Sequence, residues 1–288
     1  MTTAILGLLT AISYGAADFF AAIASRKIKV VVVTAGASLS GLALLLLLAP
    51  LMGADFSQAA VFWGLLGGVC SVVALLALYA SLAIGPISII SPLGALVSAI
   101  VPALIGVSAL GETFSALGWV AIAFALVAVV LVGFVPGENV TLPQTRAIIL
   151  AIIAGAGIGF AVSTLAQSPA DSGIAPVIVM RATAALLLAM VSLVAWMLAK
   201  RSGERLIAET TGKIWLTVAL AGFLDASANI LFTLASRTGS LTVVGVLTAL
   251  YPLGTILLAR LVLKERVAKI QQLGIALTLI ASTILALA

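Results

Sequence analysis

Residues Tyr79 to Glu112 read YASLAIGPISIISPLGALVSAIVPALIGVSALGE, and residues Phe232 to Glu265 read FTLASRTGSLTVVGVLTALYPLGTILLARLVLKE. Each stretch holds the end of one apolar helix, a tight turn, a whole second helix and a Glu in the following turn. Tyr79 and Phe232 are 153 residues apart, as are Glu112 and Glu265. In a chain of 288 residues the repeat unit is therefore about half of the whole. Both copies are nearly uncharged, so the solvent in which they fold decides the fold class.

Apolar residues make up 64% of the chain and charged residues 8%. An ordinary globular domain carries about 25% charged residues, enough to cover its surface. This chain cannot do so in water, and it supplies the ~20-residue apolar runs that a membrane span needs many times over. The net charge of +5 does not point to nucleic acid, because the basic residues sit in a few short loops and not on one face. With no His, triads and metal sites that need imidazole are excluded. The single cysteine, Cys70, lies in an apolar run and reads as a small hydrophobe. No ATPase loop of the form GxxxxGK[ST] is present. No cofactor and no enzymatic activity are expected.

Ten spans are predicted, at 4–23, 30–52, 59–83, 86–109, 114–135, 146–167, 174–199, 214–236, 240–262 and 267–287. The runs are too long and lack the period-2 alternation of strands, so an all-α integral membrane fold is expected. The link from Pro136 to Pro143 divides the chain into halves, 1–138 and 144–288. Gly85-Pro86 supplies a two-residue turn, with Pro well placed to open a helix.

Lys and Arg are counted loop by loop to orient the chain. Twelve of them sit in or beside odd-numbered loops, only Arg237 beside an even one, and Arg181 within a span. Odd loops are thus expected in the cytoplasm and both termini outside. The same charges test the repeat. Five spans per half is odd, so the second half must enter the membrane inverted, and matching loops must exchange charge. They do: the first loop is basic and its counterpart after the sixth span is not, while the loop at Glu112 lacks Lys and Arg and its counterpart holds Lys264, Arg266 and Lys269. Two inverted five-helix repeats with a midplane site form an architecture of secondary transporters.

The pattern resembles the drug/metabolite transporter superfamily, in its EamA branch. Gly85-Pro86 and Leu110-Gly111-Glu112 carry the resemblance in the first half, and Ala235 to Ser240, Leu250-Tyr251-Pro252, Glu265 and Gly274 in the second. The family's Pro thirteen residues before the Glu is kept as Pro252, whereas position 99 is Ala. The resemblance implies a multi-pass protein of a bacterial-type cytoplasmic (inner) membrane that exports small metabolites, amino acids first among them. It also implies alternating access about a cavity lined by the first, third, fourth, sixth, eighth and ninth spans. Drug or sugar-type efflux, and a non-transporting scaffold, stand as alternatives. Partners are a small-molecule substrate and the lipid bilayer, with monomer and homodimer both open.

Ionisable groups within a bilayer are costly and mark functional sites by default. Asp225, with Asn229 one turn on, reads either as a ligand for a substrate ammonium or coupling proton, or as a structural partner of Arg181 on the adjacent span. Asp18 lies in the first span, where the basic loop at Arg26 is expected to anchor it. Tyr14, Tyr79 and Tyr251 bring hydroxyls that need partners, and Tyr79 fits an interfacial belt equally well. Ser88, Ser91 and Pro92 in the fourth span and Thr248 in the ninth complete the expected pathway. With Pro102, Pro92 suggests that the fourth helix bends beside a cavity. Ser163, Thr164 and Gln167 in the sixth span line the pathway or bond back to their own helix. Gly64 and Gly68, like Gly155 and Gly159, are spaced for close helix contact. Glu112 and Glu265 are read as caps of the spans that follow them.

Overall fold

The computed structural model describes residues 1–84, 87–133, 143–202, 211–262, 264 and 268–287. Gly85-Pro86, most of the central link, the boundary between the halves and Glu265 lie outside these residues. The described residues form eleven α-helices: α1 Thr2–Ser25, α2 Val30–Met52, α3 Gln58–Ile84, α4 Ile87–Ala109, α5 Ala116–Gly133, α6 Thr145–Ala166, α7 Ala175–Ser202, α8 Gly212–Thr238, α9 Leu241–Thr248, α10 Pro252–Val262 and α11 Lys269–Leu287. Eight segments are long and apolar enough to cross a membrane, Leu241–Val262 among them as one unit. Ala116–Val132 and Lys269–Leu285 are shorter apolar helices.

The outer surface explains the composition. Leu47, Leu51, Leu186, Leu198 and Leu261 are all exposed, as are Trp119 and Trp196. In water such a surface would aggregate; against lipid tails it costs nothing. Lys200 reaches back over the Trp196 ring, 5.3 Å from its centroid, at the end of α7. A charge at a helix end with its stem along an aromatic ring suits the membrane–water boundary.

Inside, small residues set the spacing. Gly64 and Gly68 lay α3 against Pro176, Val179 and Thr183 of α7. Gly155 and Gly159 lay α6 against Gly94, Val97 and Val101 of α4. Gly15 of α1 meets Gly254 of α10 backbone to backbone, and Thr255 donates to the Gly15 carbonyl at 2.9 Å. The main pairings are α1 with α8, α3 with α6, α5 with α11, α4 with α6, α3 with α7, α2 with α7 and α8, α1 with α9 and α10, and α4 with α9. Every one of these joins the first half of the chain to the second, and α4 with α5 follows next, within the first half.

The prolines of the fourth span do not interrupt its helix. Helix α4 runs unbroken through Pro92 and Pro102, both buried. The ninth span, expected to be continuous, breaks into α9 and α10 at Ala249–Tyr251. Pro252 has no N–H to offer the Thr248 carbonyl, which instead accepts from Tyr251 N at 3.0 Å. Leu250 likewise donates to Leu247 at 3.1 Å and Leu253 to Leu250 at 2.8 Å, a short 3₁₀ connection.

Loops at the even-numbered end are stitched together. Ala54 bridges Gly173, with Asp55 N donating to Ser172 O at 3.1 Å and Ile174 N to Gly53 O at 3.0 Å. Arg237 donates to the carbonyls of Pro169 and Gly173, 3.2 and 2.9 Å away. The one cation beside an even loop is thus a clamp between α8 and the turn before α7. Glu112 caps a helix, but not the one that follows it. Its carboxylate accepts from Ser240 Oγ at 2.7 Å, Leu241 N at 2.6 Å and Thr242 N at 3.1 Å, so it closes the N-terminus of α9.

Gly159→Leu is expected to lower the melting temperature in detergent, because Val101 Cβ stands 2.6 Å from where a β-carbon would sit. Overpacking of this kind costs about 1–3 kcal/mol. Gly212→Ala, with nothing within 4 Å of its β-carbon, is the matched control and leaves the melt unchanged.

Candidate functional site

A cavity of about 260 Å³ lies at the centre of the bundle. That is near the lower end of the ~300–1,000 Å³ typical of small-molecule sites, so it suits a small ligand. Its wall draws on α1, α2, α3, α4, α6, α7, α8 and α9, together with Tyr251 in the break. The second and seventh spans were not among the expected walls. They contribute Thr34, Ala37 and Ser38, and Met180, Arg181, Ala184 and Leu188. On α1, α2 and α3 the lining runs from near the middle toward the odd-numbered loops, as Tyr14 to Ala21 and Ser71 to Leu78 illustrate, whereas on α6, α7 and α9 it lies in the half nearer the even-numbered loops, as Ile158 to Val162, Met180 to Leu188 and Gly245 to Thr248 show.

The polar centre is built on helical turns. Tyr14 and Asp18 are one turn apart on α1, and Asp225 and Asn229 one turn apart on α8, so each pair shares a helix face. The α1–α8 contact brings these faces together. Tyr14 Oη donates to Asn229 Oδ1 at 2.9 Å. Asn229 Nδ2 donates to the Asp225 carbonyl at 2.8 Å and approaches Asp225 Oδ2 at 3.5 Å. Arg181 of α7 forms a salt bridge to Asp225, with the side chains 12% and 31% exposed. Among the described residues this is the ion pair of the membrane-spanning region, and it neutralises Asp225 where water is scarce.

Asp18 is placed differently from expectation. It is exposed into the cavity it lines, and it makes no hydrogen bond or salt bridge among the described residues. The basic loop does not anchor it, because α1 turns this side chain inward, toward Asp225. Tyr251 and Thr248 also line the cavity, on either side of the break. The Thr248 hydroxyl is buried without a partner.

Other expected residues are not brought there. Ser163 donates to Gly159 O at 2.7 Å and Thr164 to Ala161 O at 2.7 Å, both buried in helix contacts. Gln167 ends α6 at the even side, away from the lining. Pro92 is buried in α4 and is absent from the wall. Tyr79, Ser88 and Ser91 lie in α3 and α4, but their side chains fall outside the described residues. Residues missed from the sequence include Thr34, Ser38 and Ser71. The i, i+4 spacing of Thr34 and Ser38 marks one polar helix face in an otherwise apolar span, and that signal was available.

Comparison with known proteins adds two findings. Residues 145–287 match the model of the EamA-like transporter family. A solved crystal structure superposes with a TM-score of 0.79, covering 99% of this chain and 96% of its own, at 15% identity. At that identity the likeness is one of fold. No curated protein sequence matches the chain.

Arg181→Ala and Asp225→Ala are each expected to lower the melting temperature, since each strands a charge. A fully buried pair costs ~3–5 kcal/mol to break from one side, and the partial exposure of Asp225 reduces this. The double variant is expected to recover much of the loss in a thermal-melt cycle. Purely additive losses would mean that the two groups do not act as a pair.

Proposed function

We propose that this protein is a secondary transporter that moves small amine-bearing metabolites, amino acids being the first class to test, across a cytoplasmic membrane by alternating access. The observation that carries this reading is a central cavity walled by helices of both halves, with a polar cluster in its wall and bonded loops at the even-numbered end. The matched family model supports membrane transport of small molecules. Ten spans in two inverted five-helix repeats are part of the proposal. The pairings support it: exchanging α1 with α6, α2 with α7, α3 with α8, α4 with α9 and α10, and α5 with α11 turns α1–α8 into α6–α3, α3–α7 into α8–α2, and α4–α6 into the contacts of α1 with α9 and α10.

The broken ninth span supports a site at this depth. Transporters place irregular backbone where it lines a cavity, because lipid tolerates it nowhere else. Release of the bonds at Glu112 and Arg237 would open the even end during the cycle.

Counterflow in proteoliposomes preloaded with single amino acids is the direct assay. Accumulation of a labelled amino acid is expected, and Asp225→Asn, which strands Arg181, should reduce it at least several-fold in folded protein. Wild-type accumulation by that variant would remove Asp225 from the mechanism. A panel with no counterflow, using folded and inserted protein, would redirect the search to drugs or sugar-type metabolites.

Orientation is checked separately. In a Cys70→Ser background, Thr113→Cys is expected to react with an impermeant maleimide added outside cells, and Lys27→Cys only after lysis. The reverse pattern would invert the topology.

A further inference from the structure

Charge within the cavity narrows the substrate. Three charged side chains line it among the described residues: Asp18, Arg181 and Asp225. The guanidinium and the Asp225 carboxylate neutralise each other. The Asp18 carboxyl is left, facing the cavity with no hydrogen-bond or salt-bridge partner among the described residues. The other titratable groups turned toward it are the hydroxyls of Tyr14 on α1 and Tyr251 in the break, neutral at ordinary pH. Arg26 and Lys27 are exposed at the end of α1 and do not line the cavity.

A second, independent observation lies on the same wall. Thr248 is 6% exposed, and its Oγ1 has no hydrogen-bond partner. It is a buried hydroxyl with both donor and acceptor capacity unused, at the end of α9 just before the break. The Tyr14 hydroxyl and the Asn229 amide already have acceptors, in Asn229 and the Asp225 carbonyl. Asp18 and Thr248 thus both present oxygen to a ligand, and Asp18 leaves the lining with one more acidic than basic side chain. An ammonium has three donors and no acceptor, and both oxygens can accept from it. The remaining wall, including Ala17, Ala21, Val72, Leu75, Leu78 and Leu188, is hydrocarbon.

We propose that Asp18, and not the neutralised Asp225, is the substrate anchor, and that with Thr248 it receives the ammonium of small amphipathic primary amines, favouring those of net charge +1 over zwitterions. A zwitterion brings its ammonium to Asp18 but adds an unmatched carboxylate, so the cavity keeps its uncompensated charge within the membrane. A monocation brings the total to zero, which is the cheaper state in a poorly solvated site. The inference rests on reading this cavity as the substrate site, and within the amine-bearing class it ranks net cations above zwitterionic amino acids.

The test is ligand binding to the purified full-length protein in detergent, by titration calorimetry. The probes are leucinamide, leucine and 4-methylpentanoate, which share an isobutyl tail and differ in charge. Leucinamide is expected to bind about ten-fold or more tightly than leucine, with 4-methylpentanoate not binding. Asp18→Asn should weaken leucinamide about ten-fold or more, the loss of one charge-assisted hydrogen bond. Asp18→Glu should retain most of the affinity, and Thr248→Val should weaken it less than Asp18→Asn does. Leucine binding as tightly as leucinamide, undiminished binding by folded Asp18→Asn, or no binding of any probe would each overturn the inference. Transport is scored apart. Asp18-dependent leucinamide binding without counterflow of any substrate would sink the transporter reading and leave the anchor standing. Amino acid counterflow indifferent to Asp18→Asn would do the opposite.

Discussion

Lipid offers no hydrogen bonds, and every backbone polar group in the apolar zone must find its partner within the chain. Helices are the solution over nearly all of the described residues, and the rest of the design depends on it. Helices with satisfied backbones gain little from hiding apolar side chains from equally apolar lipid. They are held instead by close packing, which is why glycine and alanine sit where they cross. Gly15 against Gly254 and Gly159 against Val101 are the points at which α1 meets α10 and α6 meets α4. A side chain at any of these would separate the walls of the cavity.

The break in helical bonding in the ninth span is therefore informative. The ninth span breaks at Ala249–Tyr251, beside the cavity and against the Gly15 contact. Its first half is fixed from outside by Glu112, whose carboxylate holds the α9 N-terminus through three bonds. Its second half packs on α1. One segment is thus joined to the stitched even end on one side and to the substrate wall on the other. A rearrangement that frees Glu112 would reach Thr248 and Tyr251 directly through α9.

Electrostatics divides the polar centre into two parts with different tasks. The Arg181–Asp225 pair, backed by Asn229 and Tyr14, is internally satisfied and ties α7, α8 and α1 together. Asp18 is left over. A carboxylate without a protein partner in a membrane-embedded cavity is stable only if water or a ligand attends it, and the cavity provides the space for either.

The sequence by itself determined the solvent, the helical class and the approximate place of the eight membrane-crossing segments, because apolar runs of that length have few other meanings. It also placed Tyr14, Asp225, Asn229 and Arg181 as the polar groups to watch, since ionisable and amide side chains are rare in such runs. It read Glu112 as a cap but assigned it to the next helix, because sequence proximity was the only guide, whereas the helix it closes begins 129 residues later. Tertiary structure alone decided which polar residues share a space. Ser163 and Thr164 look as functional in sequence as Thr34 and Ser38, yet only the latter pair lines the cavity. The rotation of each helix about its own axis selects between them, and small-residue contacts with neighbouring helices fix that rotation. The division between a neutralised Asp225 and a free Asp18 has the same origin. Whether a buried charge is paired depends on distances across helices, which residue order along the chain does not contain.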